Sequence, residues 1–169
     1  MKLYSGKGSL FGWLTFTNTA TNDVPGLLLW TKKDGMVGNY YPGGFTNEVV
    51  ALASRYTPPI EESAVLGFSN SVVLLEGGNL SGPATNDVFL SSLNKITVTS
   101  TNTNKLAITI TASSGLLSGS LVNPQTLKKS TIKGVVLQKQ DLGGGGFLGT
   151  NQGGRVSLGR PQDLPVFTP

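Results

Sequence analysis

The sequence predicts an all-β fold, an antiparallel meander of about ten strands forming a barrel or barrel-like sandwich, with two internally related blocks. Three observations lead there. Apolar and polar residues alternate in short runs, and no long apolar face recurs with a helical period. Turn residues are plentiful, with 23 Gly and 9 Pro among 169 residues. They separate the runs at intervals of roughly 8–16 residues, the rhythm of antiparallel sheets. Finally, the order of segments near the start of the chain recurs near its end. No helical segment is available to cross between parallel strands.

Residues 10–16 set Leu10, Gly12, Leu14 and Phe16 against Phe11, Trp13 and Thr15 on opposite faces of a strand. Residues 27–32 follow as a strand that is apolar on both faces at its start. Shorter runs at 49–52, 72–75, 88–90, 116–122, 133–138 and 155–158 read as further strands. Around the polar turn Thr101-Asn102-Thr103-Asn104, residues 96–99 and 106–111 predict a hairpin. Its Ile and Leu side chains form one face. Its threonines, β-branched and tolerant of water, form the other. Residues 58–64 predict a short helical turn or a loop. The run Gly143-Gly144-Gly145-Gly146 lacks the Gly-Lys-Ser/Thr end and following helix of a phosphate loop, and reads as a flexible hairpin loop. One domain is expected over residues 1–160. Residues 161–169 carry three prolines and read as extended tail or linker, with Val166 and Phe167 available to pin it.

The related blocks are 8–52 and 115–158. Gly8-Ser9-Leu10-Phe11-Gly12 matches Gly115-Leu116-Leu117-Ser118-Gly119, and Gly26-Leu27-Leu28-Leu29-Trp30 matches Gly134-Val135-Val136-Leu137-Gln138. Tyr40-Tyr41-Pro42 sits where Phe147-Leu148-Gly149 sits, and Phe45-Thr46-Asn47-Glu48 resembles Gly149-Thr150-Asn151-Gln152. Ordered matches of this kind indicate duplication. Glycines four apart lie on one face of a strand, where a missing Cβ lets the strand coil or a bulky neighbour cover it. A smaller pattern, Thr21-Asn22-Asp23-Val24, Thr46-Asn47-Glu48-Val49 and Thr85-Asn86-Asp87-Val88, reads as turn chemistry ahead of strands.

Composition excludes more than it assigns. There is no Cys and no His. Disulfides, thiolate metal sites, cysteine nucleophiles and Ser-His-Asp triads are therefore ruled out. The formal net charge is +4, from 13 basic and 9 acidic residues. The densest basic stretch, Lys128, Lys129, Lys133 and Lys139, has no interleaved aromatic and reads as a solvated turn and lysine-protected edge strand, with no nucleic-acid partner. No run approaches the ~18 apolar residues of a membrane-spanning helix. The start of the chain lacks a signal-peptide pattern. Met1 reads as a start codon placed before an excised or processed segment.

The stretch Gly115 to Ser120, the run Gly134-Val135-Val136-Leu137-Gln138-Lys139-Gln140 and the run Gly146-Phe147-Leu148-Gly149-Thr150-Asn151-Gln152 resemble an uncharacterised glycine-rich all-β module of large secreted or surface proteins of environmental bacteria. Gly8 to Trp30 and Val72 to Leu80 resemble other parts of it. The resemblance implies an extracellular or cell-surface setting beside other repeat domains. It implies no chemistry.

The function expected is that of a non-catalytic structural, assembly or adhesion module, meeting neighbouring domains or its own copies through edge strands. No enzyme activity, cofactor or metal site is expected. The main alternative is carbohydrate binding, in which aromatic faces stack on sugars and amides bond hydroxyls; its residues are Trp13, Trp30, Tyr40, Tyr41 and Tyr56. Glu48, Glu61, Glu62, Glu76, Asp87 and Asp141 are the carboxylates that a less favoured glycoside-hydrolase reading would draw on.

Overall fold

The computed structural model describes residues 1–35, 40–61 and 63–164. It is all-β; among the described residues there is no α-helix, and no helix long and apolar enough to cross a membrane. The chain groups into two compact units, Met1–Arg55 and Tyr56–Pro169. In the first, β1 (Lys2–Leu3), β2 (Gly8–Leu14), β3 (Gly26–Lys32) and β4 (Phe45–Ala51) form an antiparallel sheet in chain order. The second holds β5 (Asn70–Gly77), β6 (Ala84–Leu90), β7 (Ile96–Val98), β8 (Ala107–Thr111), β9 (Leu116–Val122), β10 (Lys129–Leu137), β11 (Leu142–Leu148) and β12 (Gly153–Gly159). These run in the order β7-β6-β5-β12-β11-β10-β9-β8 and nearly close into a barrel.

Period-2 alternation builds the barrel core. Ile110, Leu117, Gly134, Gly145, Val156, Leu75 and Ala84 lie opposite one another in one row across seven strands. Val73, Leu75, Leu121, Ile132 and Leu158 are completely buried. At ~25 cal/mol per Å² of apolar surface, such side chains contribute about 1.5–3 kcal/mol each.

The row narrows to nothing at Gly134 and Gly145, which face each other across β10 and β11. A Cβ on Gly145 would lie 2.4 Å from the Lys133 carbonyl oxygen and 2.8 Å from the Gly134 Cα; one on Gly134 would lie 2.5 Å from the Gly144 oxygen. The backbones approach too closely for any side chain, and glycines so placed let a sheet coil. Residues 143–146 are thus not a hairpin loop. They form the centre of β11, a strand paired on both sides. The actual turn is the short 3-10 segment Gln138–Gln140 with Asp141 in the left-handed region, φ 51°. Phe147 supplies the bulk that β11 otherwise lacks: it is buried, and its ring occupies the space where Gly78 and Gly154 would carry a Cβ.

The predicted hairpin of residues 96–111 is corrected in the same way. Its alternation holds, with Thr97, Thr99, Thr109 and Thr111 exposed and Leu106 and Ile108 buried. Its strands do not pair. β7 bonds β6 and β8 bonds β9, so the two are opposite ends of the sheet, lying alongside each other at the barrel seam. Asparagine side chains hold the connection. Leu106 N donates to Asn102 Oδ1 (2.6 Å), and buried Asn104 donates through Nδ2 to buried Asn86 Oδ1 (2.8 Å).

Three smaller expectations also change. Of the Thr-Asn-acid segments only Asn22 and Asp23 sit in a turn; the other two lie inside β4 and β6. Lys129 and Lys133 point outward from β10, a strand flanked on both sides rather than an edge. Residues 58–64, by contrast, take the expected loop alternative, with no helical turn among those described; Glu62 lies outside them. In the tail, Pro161–Asp163 forms a 3-10 turn and Leu164 is buried, while Val166 and Phe167 lie outside the described residues.

Both related blocks are antiparallel meanders, but their registers differ. Gly12 pairs with Leu28; its counterpart Gly119 pairs with Ile132 rather than with Val136, the counterpart of Leu28. A common device survives. The Cβ site of Gly12 is filled by the Leu27 oxygen and that of Gly119 by the Ala107 oxygen, both at 2.2 Å. Tyr4 covers Gly8, and Tyr56 covers the matching Gly115.

Gly145→Ala is expected to destabilise the protein by about 1–3 kcal/mol or more in urea unfolding, through backbone displacement. Its neighbour is the control: a Cβ at Gly144 meets only the Leu137 and Leu142 methyl groups, at 3.9 Å. Gly144→Ala should stay within ~0.5 kcal/mol of the parent. Equal effects at the two positions would contradict the close-approach account.

Candidate functional site

The N-terminal sheet presents two chemically distinct faces. On one, Leu10, Leu28, Trp30, Lys32, Phe45 and Val49 share strand parity. Phe45 is its hub, with edge-to-face contacts to Trp30 and Tyr41 at 5.1 Å between ring centroids and to Tyr4 at 6.5 Å. Lys32 is only 7% exposed. Its ammonium donates to the carbonyl oxygens of Tyr40 and Tyr41 and lies 5.6 Å from the centre of the Tyr4 ring. The lysine therefore holds the 40–41 backbone against the sheet, with a cation–π contact behind it.

The opposite face carries Ser9, Phe11, Trp13, Leu27, Leu29, Thr31, Thr46, Glu48 and Val50. Trp13, Leu27 and Val50 are direct cross-strand neighbours, and they are 89%, 53% and 76% exposed. Phe11, 56% exposed, continues the patch along β2. This apolar row runs across β2, β3 and β4. Among the described residues, no strand pairs with the outer edge of β4. Toward the other end of the face the residues become polar: Ser9 pairs with Thr31, their hydroxyl oxygens 3.0 Å apart, and Thr31 pairs with Thr46.

The five aromatic candidates are thus not one platform. Trp30 and Tyr41 belong to the Phe45 cluster, and Tyr40 contributes a carbonyl to Lys32. Trp13 stands on the opposite face. Tyr56 lies in the other unit, where its hydroxyl donates to the Ala112 carbonyl oxygen and its ring covers Gly115. Burial pushes its phenol above the usual tyrosine range, opposed by a backbone hydrogen bond from Gly115.

Sequence reasoning missed Phe11, Leu27 and Val50. The one visible sign was the Leu27-Leu28-Leu29 run, which supplies apolar side chains to both faces. Two of the candidate carboxylates serve structure. Glu76 accepts from Arg155 at 3.0 Å. Asp141 accepts from Arg160 at 2.8 Å and from the Gly67 amide at 2.6 Å, tying the loop before β5 to the β10–β11 turn.

Comparison with protein-family models, curated proteins and solved structures finds no match.

Tyr56 generates a pH prediction. Its folded-state ionisation is raised, so below the ordinary tyrosine value near 10 both folded and unfolded chains keep the proton. Above it the unfolded chain ionises first, and stability falls as pH climbs toward the folded value. Tyr56→Phe should cost about 1 kcal/mol at neutral pH through the lost hydrogen bond. It should also flatten the alkaline decline in thermal stability. An unchanged decline would remove Tyr56 as its source.

Proposed function

We propose that this chain is a non-catalytic assembly module of a cell-surface or secreted bacterial protein, and that the N-terminal sheet meets a second copy of the chain. The observation that carries the reading is the row of Trp13, Leu27 and Val50, exposed and adjacent, ending at the unpaired edge of β4. Contiguous exposed apolar surface marks an interaction face. Covering it would contribute about 1.5–3 kcal/mol for each large side chain removed from water. An open edge adjoining it supplies unpaired backbone donors and acceptors, which antiparallel pairing across a two-fold axis satisfies without any new partner sequence. The surface setting rests on the resemblance of the glycine-rich blocks.

Carbohydrate binding ranks second. Trp13 suits a sugar face. Its neighbours Leu27 and Val50 offer hydroxyls nothing to bond, whereas both suit a protein partner.

Sedimentation equilibrium tests this reading. The parent chain should associate with rising concentration, and Trp13→Ser combined with Val50→Lys should weaken association by at least ~10-fold. A parent that stays monomeric up to about 1 mM would overturn the proposal. Glycan-array binding lost on Trp13→Ala, without self-association, would put the sugar reading in its place.

A further inference from the structure

The polar end of the same sheet face carries a second surface that self-association does not use. A shallow cleft of about 770 Å³ opens there, lined by Lys2, Lys7, Lys33, Ser9, Thr31 and Thr46 among others. The strand register explains why these six converge. Lys2 lies opposite Ser9, Ser9 opposite Thr31 and Thr31 opposite Thr46, so one ammonium and three hydroxyls form a single row across all four strands. Just beyond it the chain brings Lys7 and Lys33 together, the Lys33 amide donating to the Lys7 carbonyl oxygen at 2.9 Å. Lys2, Lys7 and Lys33 are all exposed.

Like charges gathered at one end of a sheet repel one another, and an anion seated among them removes the penalty. Asp34 also lines the cleft and offsets one of the three charges. Lys32 lines it too, with its ammonium committed to the Tyr40 and Tyr41 carbonyls.

The lining identifies the class of ligand. A row across four strands spans ~14 Å at ~4.8 Å per strand, longer than one inorganic anion. Hydroxyl side chains both donate and accept, matching sugar hydroxyls. Among the described residues, no aromatic or arginine side chain lines the cleft. The described lining thus favours charge and hydroxyl contacts over base stacking or bidentate phosphate recognition.

We propose that this cleft binds an acidic polysaccharide, with its carboxylates or sulfates among Lys2, Lys7 and Lys33 and its hydroxyls on Ser9, Thr31 and Thr46.

The test is titration of the full chain with fluorescently labelled polygalacturonate, dextran sulfate and neutral dextran. At least one acidic polymer should bind, and neutral dextran should not; the pattern between the two acidic polymers tells carboxylate from sulfate. Lys2→Ala, Lys7→Ala and Lys33→Ala combined should weaken binding about tenfold or more. An equal loss of charge elsewhere, Lys128→Ala, Lys129→Ala and Lys133→Ala combined, should change it less than ~2-fold. If the first triple fails to fold by circular dichroism, Lys33→Gln alone should still weaken binding, and Ser9→Ala with Thr46→Val should do so without changing charge. Equal losses in the two triples, no binding by the parent, or tighter binding of a single-stranded oligonucleotide would each overturn the proposal. The Trp13 and Val50 substitutions leave this cleft intact, so its failure and that of self-association are separate results.

Discussion

The barrel depends on how closely two backbones can approach. At Gly134 and Gly145 the strands come within a distance that excludes any side chain, the kind of approach that lets a sheet curl. Without near-closure of the sheet, Leu75, Leu117, Val156 and Leu158 would not converge on one interior. Packing then replaces what the glycines omit. Phe147 fills the space over Gly78 and Gly154, so the strand poorest in side chains itself carries one of the largest buried ones. The arrangement couples curvature to packing: the glycines permit the bend and the aromatic ring stabilises it.

A second economy follows from composition. With charged residues at only 13% and neither His nor Cys, the chain relies on asparagine amides to hold its irregular segments. Asn79 Oδ1 accepts from the amides of Thr150, Asn151 and Gln152 at 2.9, 3.0 and 3.3 Å, and so closes the β11–β12 turn. Buried Asn94 accepts from the Val65 amide and donates to the Ser63 carbonyl oxygen. Asn22 does the same kind of work in the other unit, bonding the backbone of Val24, Ala51 and Ala53. A side-chain amide offers donor and acceptor together, without the desolvation cost of a buried charge.

Much of the fold was legible because alternation is a local signal. The run 116–122 has the same bounds in the sequence pattern and in β9, and the threonines at 97, 99, 109 and 111 face outward as alternation requires. Pairing is not fixed by alternation, and there the sequence misleads. Residues 96–98 and 107–111 look like a hairpin in sequence, yet each pairs with the strand on its other side in the chain, β6 and β9 respectively. β11 escaped notice because a run of four glycines has no apolar pattern; its strand character comes from the backbones beside it. Site legibility was similarly divided. The exposure of Trp13 followed from its parity opposite Leu10 and Leu14. The row it forms with Leu27 and Val50, and the row from Lys2 to Thr46, depend on register across three and four strands, which no single segment encodes.

The barrel's unladdered seam has a mechanical consequence. β7 and β8 lie alongside each other without a backbone ladder between them, and asparagine amides hold the loop that joins them, Asn102 to Leu106 and Asn104 to Asn86 in β6. Such a cylinder is split along one line. Tension across it should part this line before any laddered pair, and thermal breathing should admit solvent there first. Deuterium uptake would consequently spread inward from the three-residue margin of β7, leaving the glycine-rich wall around β11 as the last part to yield.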